Sequence, residues 1–398
     1  MKDKQILLGV TGGIAVYKTV ELLRLFKKAG AHVDVVMTDA AQKFVGKTTF
    51  EVLSEAPVIT DLWKDSRGAV AHIEVASRAD AAIIAPATAN CISKLAHGMA
   101  DDALTTTFCA VTAPTMLCPS MNTDMYQNIR VQRNLDILEE DGIHILDPDS
   151  GALACKTVGA GRLPEPWFIF DRLSAMLESK DLSGKKILIS AGPTREAIDP
   201  VRYVSNHSSG KMGYAVAKAA ENRGALVTLV SGPVNIPVPV GVECIRVETC
   251  EEMGKAMLEQ MDGADIIIKV AAVADYRPAA PRNKKIKKTG THADLELSMV
   301  ENMDILRAIG KRKTKEQFLV GFAAETHDLE KFAVKKMEKK NLDMIAANLV
   351  GQSDSGFGAE TNRVTLFSRE GKVTQIPLMD KERVAHLLLD SVRAGLAS

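Results

Sequence analysis

What most constrains the fold is the placing of short, wholly apolar runs, each followed by a small or polar turn and then by a segment of helical periodicity. Residues 6–10 are apolar throughout and run directly into Thr11-Gly12-Gly13. Residues 15–28 then set Val16, Val20, Leu22, Leu23 and Phe26 at helical spacing, Ala29-Gly30-Ala31 closes the helix, and His32–Met37 is a second strand. The order returns in the second half. A strand over Lys186–Ala191 leads into a long polar loop, a helix over Lys211–Asn222, the turn Arg223-Gly224-Ala225 and a strand over Leu226–Ser231. Runs without polar residues belong to strands covered on both faces, and strand, turn, helix, strand opens a doubly wound parallel sheet. The echo is one of architecture, with no repeat of sequence beneath it.

A chain of 398 residues is longer than one ordinary domain and predicts two. Residues 166–179 read as a helix begun by Pro166, and the short polar stretch 180–184 that follows is the boundary. The expected fold class is therefore α/β, two doubly wound (Rossmann-like) parallel-sheet domains in tandem, residues 1–180 and 181–398. Lys and Arg number 50 and so do Asp and Glu, which removes the simplest case for a nucleic-acid partner. No apolar run reaches bilayer length, and the first one is too short for a signal-peptide core. The six cysteines include no C-x-x-C pair and no metal-ligand spacing. These features predict a reduced, cytoplasmic protein without a membrane partner.

Chemistry in α/β sheets gathers at the carboxyl ends of strands, and the reactive groups of this chain are expected there. Thr11-Gly12-Gly13 either brings backbone N–H groups to an anion or is a tight turn; it is neither G-x-G-x-x-G nor a phosphate-binding P-loop. A strand over 81–85 ends in Pro86-Ala87-Thr88-Ala89-Asn90, and one over 111–118 ends in Pro119-Ser120-Met121-Asn122-Thr123-Asp124-Met125. His72 precedes the first of these strands. Alone, His72 is a structural histidine and Asn122 a helix N-cap. The Gly-rich segments 148–155 and 159–162, which include Cys155 and Arg162, are by themselves a loop.

In combination, Thr-Gly-Gly, the histidine before a strand ending PATAN, and PSMNTDM after the next resemble the homo-oligomeric flavin-containing cysteine decarboxylases, over roughly residues 4–166. That resemblance implies FMN, with Thr11, Gly12, Gly13, Thr38, Ala87, Thr88, Ala89 and Asn90 at its site. It makes His72 an acid/base, Asn122 the holder of the substrate carboxylate, and Cys155 the proton donor on a flap over the substrate. The chemistry suits these residue types. The Cβ of a cysteine offers no sink for the electrons left by departing carbon dioxide, and oxidation to a thioaldehyde creates one. A thiol with an ordinary pKa of about 8.5 is largely protonated at neutral pH and can then return a proton to the product.

The second half carries four marked stretches: DPVRYVSNHSSGKMG, AAVADYRP, the basic run around Lys284-Lys285-Ile286-Lys287, and VGFAAET. A helix over 331–340 follows, with Lys336 and Lys340 four apart and so on one face. Taken alone, a basic run is a solvated loop; a neutral net charge and the lack of interleaved aromatics weaken a nucleic-acid patch. Together the four stretches resemble phosphopantothenate–cysteine ligase, and the whole chain resembles the family of bifunctional bacterial coenzyme A biosynthesis proteins. The resemblance implies CTP, 4'-phosphopantothenate and L-cysteine as substrates, with Mg2+ accompanying the triphosphate. Lys285 then serves carboxylate activation, Asn206 the conversion of the acyl cytidylate, and Arg202 supports Asn206. Lys269, Val270, Ala271, Asp275, Met303, Asp304, Ile305, Leu306, Phe322, Lys336 and Lys340 fall at positions associated with CTP. Met303 stands where relatives often have proline. The resemblance also implies a dodecamer, built from decarboxylase trimers and ligase dimers.

Two other classes fit the sequence less well. Some relatives of the flavin domain are phosphatase-inhibitory subunits, but such roles accompany acidic tails or altered catalytic positions, which this chain lacks. An NAD(P) oxidoreductase on two Rossmann-like units would need a dinucleotide fingerprint, and neither half carries one.

Overall fold

The computed structural model describes residues 1–63, 70–152, 158–287, 295–325, 329–349 and 358–396. The chain divides into two compact units, Met1–Ser179 and Lys180–Ser398.

The first unit is built on a five-stranded parallel sheet of β1 (Gln5–Val10), β2 (His32–Met37), β3 (Ala81–Ala87), β4 (Thr115–Pro119) and β5 (His144–Ile145), in the order β2-β1-β3-β4-β5. Helices α1 (Val16–Lys28), α2 (Asp39–Gln42), α3 (Lys47–Ser54), α4 (Ala71–Arg78), α5 (Ala89–Ala96), α6 (Ala103–Cys109), α7 (Thr123–Tyr126), α8 (Ile129–Glu140) and α9 (Pro166–Met176) surround it. Leu22, Leu23 and Phe26 of α1 pack with Phe50 of α3 and Ile169 and Leu173 of α9 over one face. Val75, Ile92, Leu104 and Leu138 from α4, α5, α6 and α8 cover the other. All seven residues of β3 are buried, as a central strand covered on both faces requires. A small antiparallel ribbon, β6 (Asp149–Ala152) with β7 (Val158–Arg162), precedes α9.

Two details differ from the sequence reading, and the element that carries His72 is added to it. The strand expected over 111–118 is shorter: 111–114 connect α6 to β4, which starts beyond Pro114, a residue with no N–H for the ladder. Pro86, expected to end its strand, lies inside β3, where the pairing with β4 shifts register between Ile84 and Ala87; an irregularity of that kind is where a sheet tolerates proline. His72 sits in the first turn of α4.

The second unit has an eight-stranded sheet made of β8 (Lys186–Ala191), β11 (Leu226–Ser231), β12 (Glu243–Arg246), β13 (Ile266–Lys269), β16 (Phe318–Glu325), β17 (Met344–Leu349), β18 (Thr361–Ser368) and β19 (Val373–Asp380). Between these fall two antiparallel ribbons, β9 (Arg195–Ala197) with β10 (Tyr203–Ser205) and β14 (Tyr276–Pro278) with β15 (Met299–Glu301). The sheet order is β12-β11-β8-β13-β16-β17-β18-β19. Six strands run parallel, and β18 and β19 extend the edge antiparallel, which a wholly parallel expectation did not include. Helices α10 (Lys211–Asn222) and α14 (Lys381–Leu396) cover one face; α11 (Cys250–Gln260), α12 (Ile305–Arg312) and α13 (Leu329–Lys339) cover the other. Gly213 is fixed by this packing, since a Cβ there would collide with Ala191 on β8.

Candidate active sites

Each sheet has its topological switch point between the first strand of its unit and the strand leading the other way, β1/β3 in the first unit and β8/β13 in the second. Open α/β sheets bind ligands in the crevice that forms there. Hollows lie at both positions.

In the first unit two hollows of about 610 and 700 Å³ flank Gly12, Thr88 and Ala89, within the roughly 300–1,000 Å³ of small-molecule sites. Thr38, Asn90 and Cys91 line the first; Gly13, Ser120, Asn122 and Arg162 line the second. The roles inside the Thr-Gly-Gly turn are unequal. Thr11 is buried; its hydroxyl donates to Pro86 O at 2.6 Å and accepts from Thr88 N at 3.0 Å, so it ties the ends of β1 and β3 together. A Cβ on Gly12 would collide with Ala40, whereas one on Gly13 would meet nothing nearer than 3.8 Å. Gly12 is thus a packing glycine, and Gly13 opens the hollow. Thr88 caps α5 through Cys91 N, and Thr38 caps α2 through Ala41 N. Asn122 caps α7, its Oδ1 accepting from Asp124 N at 2.8 Å.

The second hollow is closed on one side by the strand leading to α9. Met121 N donates to Gly161 O at 3.0 Å, and Gly161 has φ +139° with no room for a Cβ against Met121 O. Lys18, mostly buried, donates from Nζ to Leu163 O at 3.0 Å and to Glu165 at 2.9 Å, and Glu165 also takes Arg162. Burial pushes the Cys91 thiol up to about 12 and raises that of Cys118, so both are protonated at neutral pH. His72 is half-buried and lines neither hollow. Ala87 is buried within β3, and Cys155 lies outside the described residues.

In the second unit one cavity of about 580 Å³ gathers Asn206, Lys269, Val270, Ala271, Asp275, Met303, Asp304, Ile305, Leu306, Phe322, Lys336 and Lys340. The turn 271–275 after β13 is held by four polar side chains. Ala271 N donates to Ser190 Oγ at 3.3 Å and Ala274 N to Thr194 Oγ1 at 3.1 Å. Asn206 Nδ2 donates to Val273 O at 2.9 Å, and Asn302 Nδ2 to Ala274 O at 2.8 Å. Lys340 pairs with Asp304 at 2.8 Å, Lys336 reaches Phe322 O at 3.3 Å, and Lys269 donates to Ala271 O at 2.8 Å. Burial, with the charges of Lys336 and Lys340 behind it, brings the Lys269 ammonium down to about 8. Burial acts to raise the Asp304 carboxyl, but the Lys340 hydrogen bond and Arg307 N–H outweigh it and hold the group below its usual range.

Arg202 and Lys285 do not line this cavity. Arg202 donates to Ile286 O at 2.6 Å, and Asp199 accepts from Val201 N, Arg202 N and Ile286 N, which fixes the basic run by its backbone and leaves Lys285 exposed. Several lining residues were missed in the sequence: Lys211, Asn302, Asn348, Asn362 and Lys381. Lys211 lies within the SSGKMG motif, whose glycines carry the stronger sequence signal. Asn362 and Lys381 belong to the antiparallel edge and the last helix, for which the sequence reading offered no site.

A family model for flavoproteins matches residues 1–178, and one for the DNA/pantothenate metabolism flavoprotein C-terminal domain matches residues 182–396. With a switch-point site in each unit, the chain is of the class that joins a flavoprotein domain to this C-terminal domain. The Coenzyme A biosynthesis bifunctional protein CoaBC of Bacillus subtilis (strain 168) is 47% identical over 99% of this chain and 98% of its own. That of Escherichia coli (strain K12) is 45% identical over 98% and 97%. A crystal structure of the C-terminal domain of a Coenzyme A biosynthesis bifunctional protein CoaBC is 41% identical, covers 55% of this chain and 99% of its own, and has a TM-score of 0.47. The chain belongs to the family of bifunctional coenzyme A biosynthesis proteins, enzymes with a flavoprotein decarboxylase half and a ligase half.

Proposed function

We propose that the second unit ligates L-cysteine to 4'-phosphopantothenate with CTP, and that the first unit decarboxylates the product with FMN to 4'-phosphopantetheine. The observation that carries this reading is the lysine-walled cavity at the β8/β13 switch point, with Asn206 and Asp275 in the same wall.

A carboxylate is a poor electrophile. Its oxygen attacks the α-phosphorus of CTP, a P–O bond breaks, and pyrophosphate leaves with the electron pair. The cysteine amine then attacks the acyl carbon of the cytidylate and CMP departs. Charge gathers on phosphate oxygens throughout, where Lys269, Lys336 and Lys340 offer ammonium groups away from bulk water. Lys285, on the loop pinned by Arg202, is assigned to the activation step and Asn206 to the conversion of the acyl cytidylate. Magnesium would neutralise charge on the triphosphate, and Asp275, Glu301 and Asp304 are the carboxylates of the cavity from which it would draw any protein ligand.

In the first unit the residues fit a flavin nucleotide. The hollows straddle the switch point, Gly13 leaves space for close approach, and the first turn of α5 presents N–H groups at Ala89 and Asn90. FMN supplies the two-electron oxidation of the substrate cysteine and the later return of those electrons. Asn122, oriented by Asp124 N, holds the substrate carboxylate with neutral donors that release it readily as carbon dioxide. Cys155 returns the proton. His72 is assigned as acid/base across an interface between copies; Ile14, Tyr17 and Met125, all exposed apolar residues beside the 700 Å³ hollow, support such an interface. No helix among the described residues is long and apolar enough to cross a membrane, in keeping with a cytoplasmic enzyme.

The nucleotide assignment is tested by following cysteine-dependent ligation with CTP and with ATP at equal concentration. CTP is expected to be strongly preferred, and equal turnover with ATP would remove it.

A further inference from the structure

Asp304 ends the stretch 302–304 that joins β15 to α12 and walls the ligase cavity. Its carboxylate holds Lys340 at 2.8 Å and caps α12 by accepting from Arg307 N at 3.0 Å. Its charge also favours the Lys269 ammonium. Whatever fixes this stretch therefore sets how two of the cavity lysines present their charge. On the cavity side it is fixed by Asn302, whose N–H donates to Asp275 O at 2.8 Å. On its other side lies α11, a helix that the nucleotide reading does not use.

Cys250 and Gly254 stand four apart on α11 and so share one face, and both meet Met303. The Cys250 thiol donates to Met303 O at 3.5 Å. Cys250 is 1% exposed, and burial pushes its thiol up to about 11, which keeps it protonated and a donor at neutral pH. A Cβ on Gly254 would run into the Met303 methyl, with side-chain carbons of Ile305 next to it at 3.5 and 3.7 Å. Glycine inside a helix costs stability relative to alanine, so what this one supplies is the hole that Met303 fills. The helix is held in turn. Glu196, buried in β9, accepts from Cys250 N at 2.8 Å, and Arg195 N donates to Glu248 O at 2.8 Å. The first turn of α11 is thus tied both to the ribbon β9–β10, which runs into Asn206, and to the stretch that carries Asp304.

We propose that Cys250 and Gly254 are positioning residues for the ligase reaction: they seat Met303 on α11 and thereby hold Asp304 where it pairs with Lys340. The inference rests on the ligase reading and deepens it on the nucleotide side. Neither residue lines the cavity. Their effect passes through the backbone at Met303 and the Asp304 carboxylate to the Lys340 ammonium. Filling the hole at Gly254 pushes the Met303 methyl out and shifts that carboxylate. Capture of the triphosphate then weakens. The cysteine amine reacts at the acyl carbon, away from these lysines, so cysteine is bound as before.

The test measures kcat and KM for CTP and for cysteine in the full chain. Gly254→Ala is expected to raise the KM for CTP by about 5- to 30-fold, the scale of coupling between residues in contact, with the KM for cysteine unchanged. Met303→Ala removes the methyl that the new Cβ meets. In that background Gly254→Ala should change the KM for CTP by less than about 2-fold. Cys250→Ala should raise it about 2- to 5-fold, and Cys250→Ser, which keeps a donor, should recover the wild-type value. Decarboxylation of supplied 4'-phosphopantothenoylcysteine should hold in every variant and serves as the measure of general damage. The same loss from Gly254→Ala with and without Met303, equal rises for CTP and cysteine, or a fall in both activities would overturn the positioning. A wild-type chain without CTP-dependent ligation would overturn the ligase reading as well; one that ligates while the variants match it would overturn the positioning alone.

Discussion

The Asn206 amide donates to Val273 O at 2.9 Å and approaches Ala272 O at 3.5 Å, so this side chain both lines the ligase cavity and holds the turn that carries Asp275. Asn206→Asp sets a carboxylate oxygen against that carbonyl and removes the donor. The structural loss is about 0.5–1.5 kcal/mol, because the side chain is exposed. The chemical loss is expected to be far larger: pyrophosphate release should persist for a single turnover while ligation stops, as rapid-quench assays would read. Unchanged ligation would take Asn206 out of the mechanism. Lys269 gives a pH dependence of definite sign. Its ammonium is brought down to about 8, because burial and then Lys336 and Lys340 disfavour the charge. The unfolded chain keeps that proton to about 10.4. Between the two values the unfolded state binds more protons, so Lys269 makes the second unit gain stability as pH rises, and below about 8 its contribution is flat. A bound triphosphate favours the charged form, so binding at pH above 8 should take up a proton and affinity should fall as pH rises. Calorimetry in buffers of different ionisation enthalpy measures the uptake, which Lys269→Met should abolish; uptake persisting in that variant would point to another group.

Two elements act through backbone alone. Gly161 of β7 has φ +139° and lies where a Cβ would run into Met121 O, so Gly161→Ala should displace the Met121–Asn122 turn. Decarboxylation should fall at least tenfold while ligation holds, and equal effects on both would contradict the placement. The basic run is pinned at Ile286 by Arg202 and Asp199. Burial acts to raise the Asp199 carboxyl, but N–H donors from Ile286, Val201 and Arg202 outweigh it and hold the group below its usual range, so the pin survives until pH falls below that range. Asp199→Asn should therefore damage ligation as much as Arg202→Ala, read as kcat/KM for CTP.

At this scale much of the fold was legible. β8, β11 and α10 fall where apolar runs and helical spacing set them, because a strand or helix covered by its neighbours must show its buried residues in sequence. The ribbons β9–β10 and β14–β15 were not legible, since three-residue pairings depend on what the loop packs against. The same holds for Arg202 and Lys285, whose distance from the cavity follows from where Asp199 fixes the loop. Lys211, Asn362 and Lys381 were missed because they meet only when α10, β18 and α14 converge.

For the whole molecule, we propose, from the resemblance to the flavin-containing cysteine decarboxylases and to the ligase, trimeric and dimeric contacts on the same chain, satisfied together by twelve copies. Sedimentation of the purified protein should give that dodecamer, and a monomer carrying both activities would contradict the shared-interface assignment of His72. The two halves together are tested by a coupled assay with 4'-phosphopantothenate, cysteine and CTP that follows pyrophosphate and carbon dioxide separately. Pyrophosphate should appear first and carbon dioxide should follow one for one, with neither formed when CTP is omitted. Pyrophosphate without carbon dioxide would remove the decarboxylase assignment, and carbon dioxide without CTP would break the link between the two units.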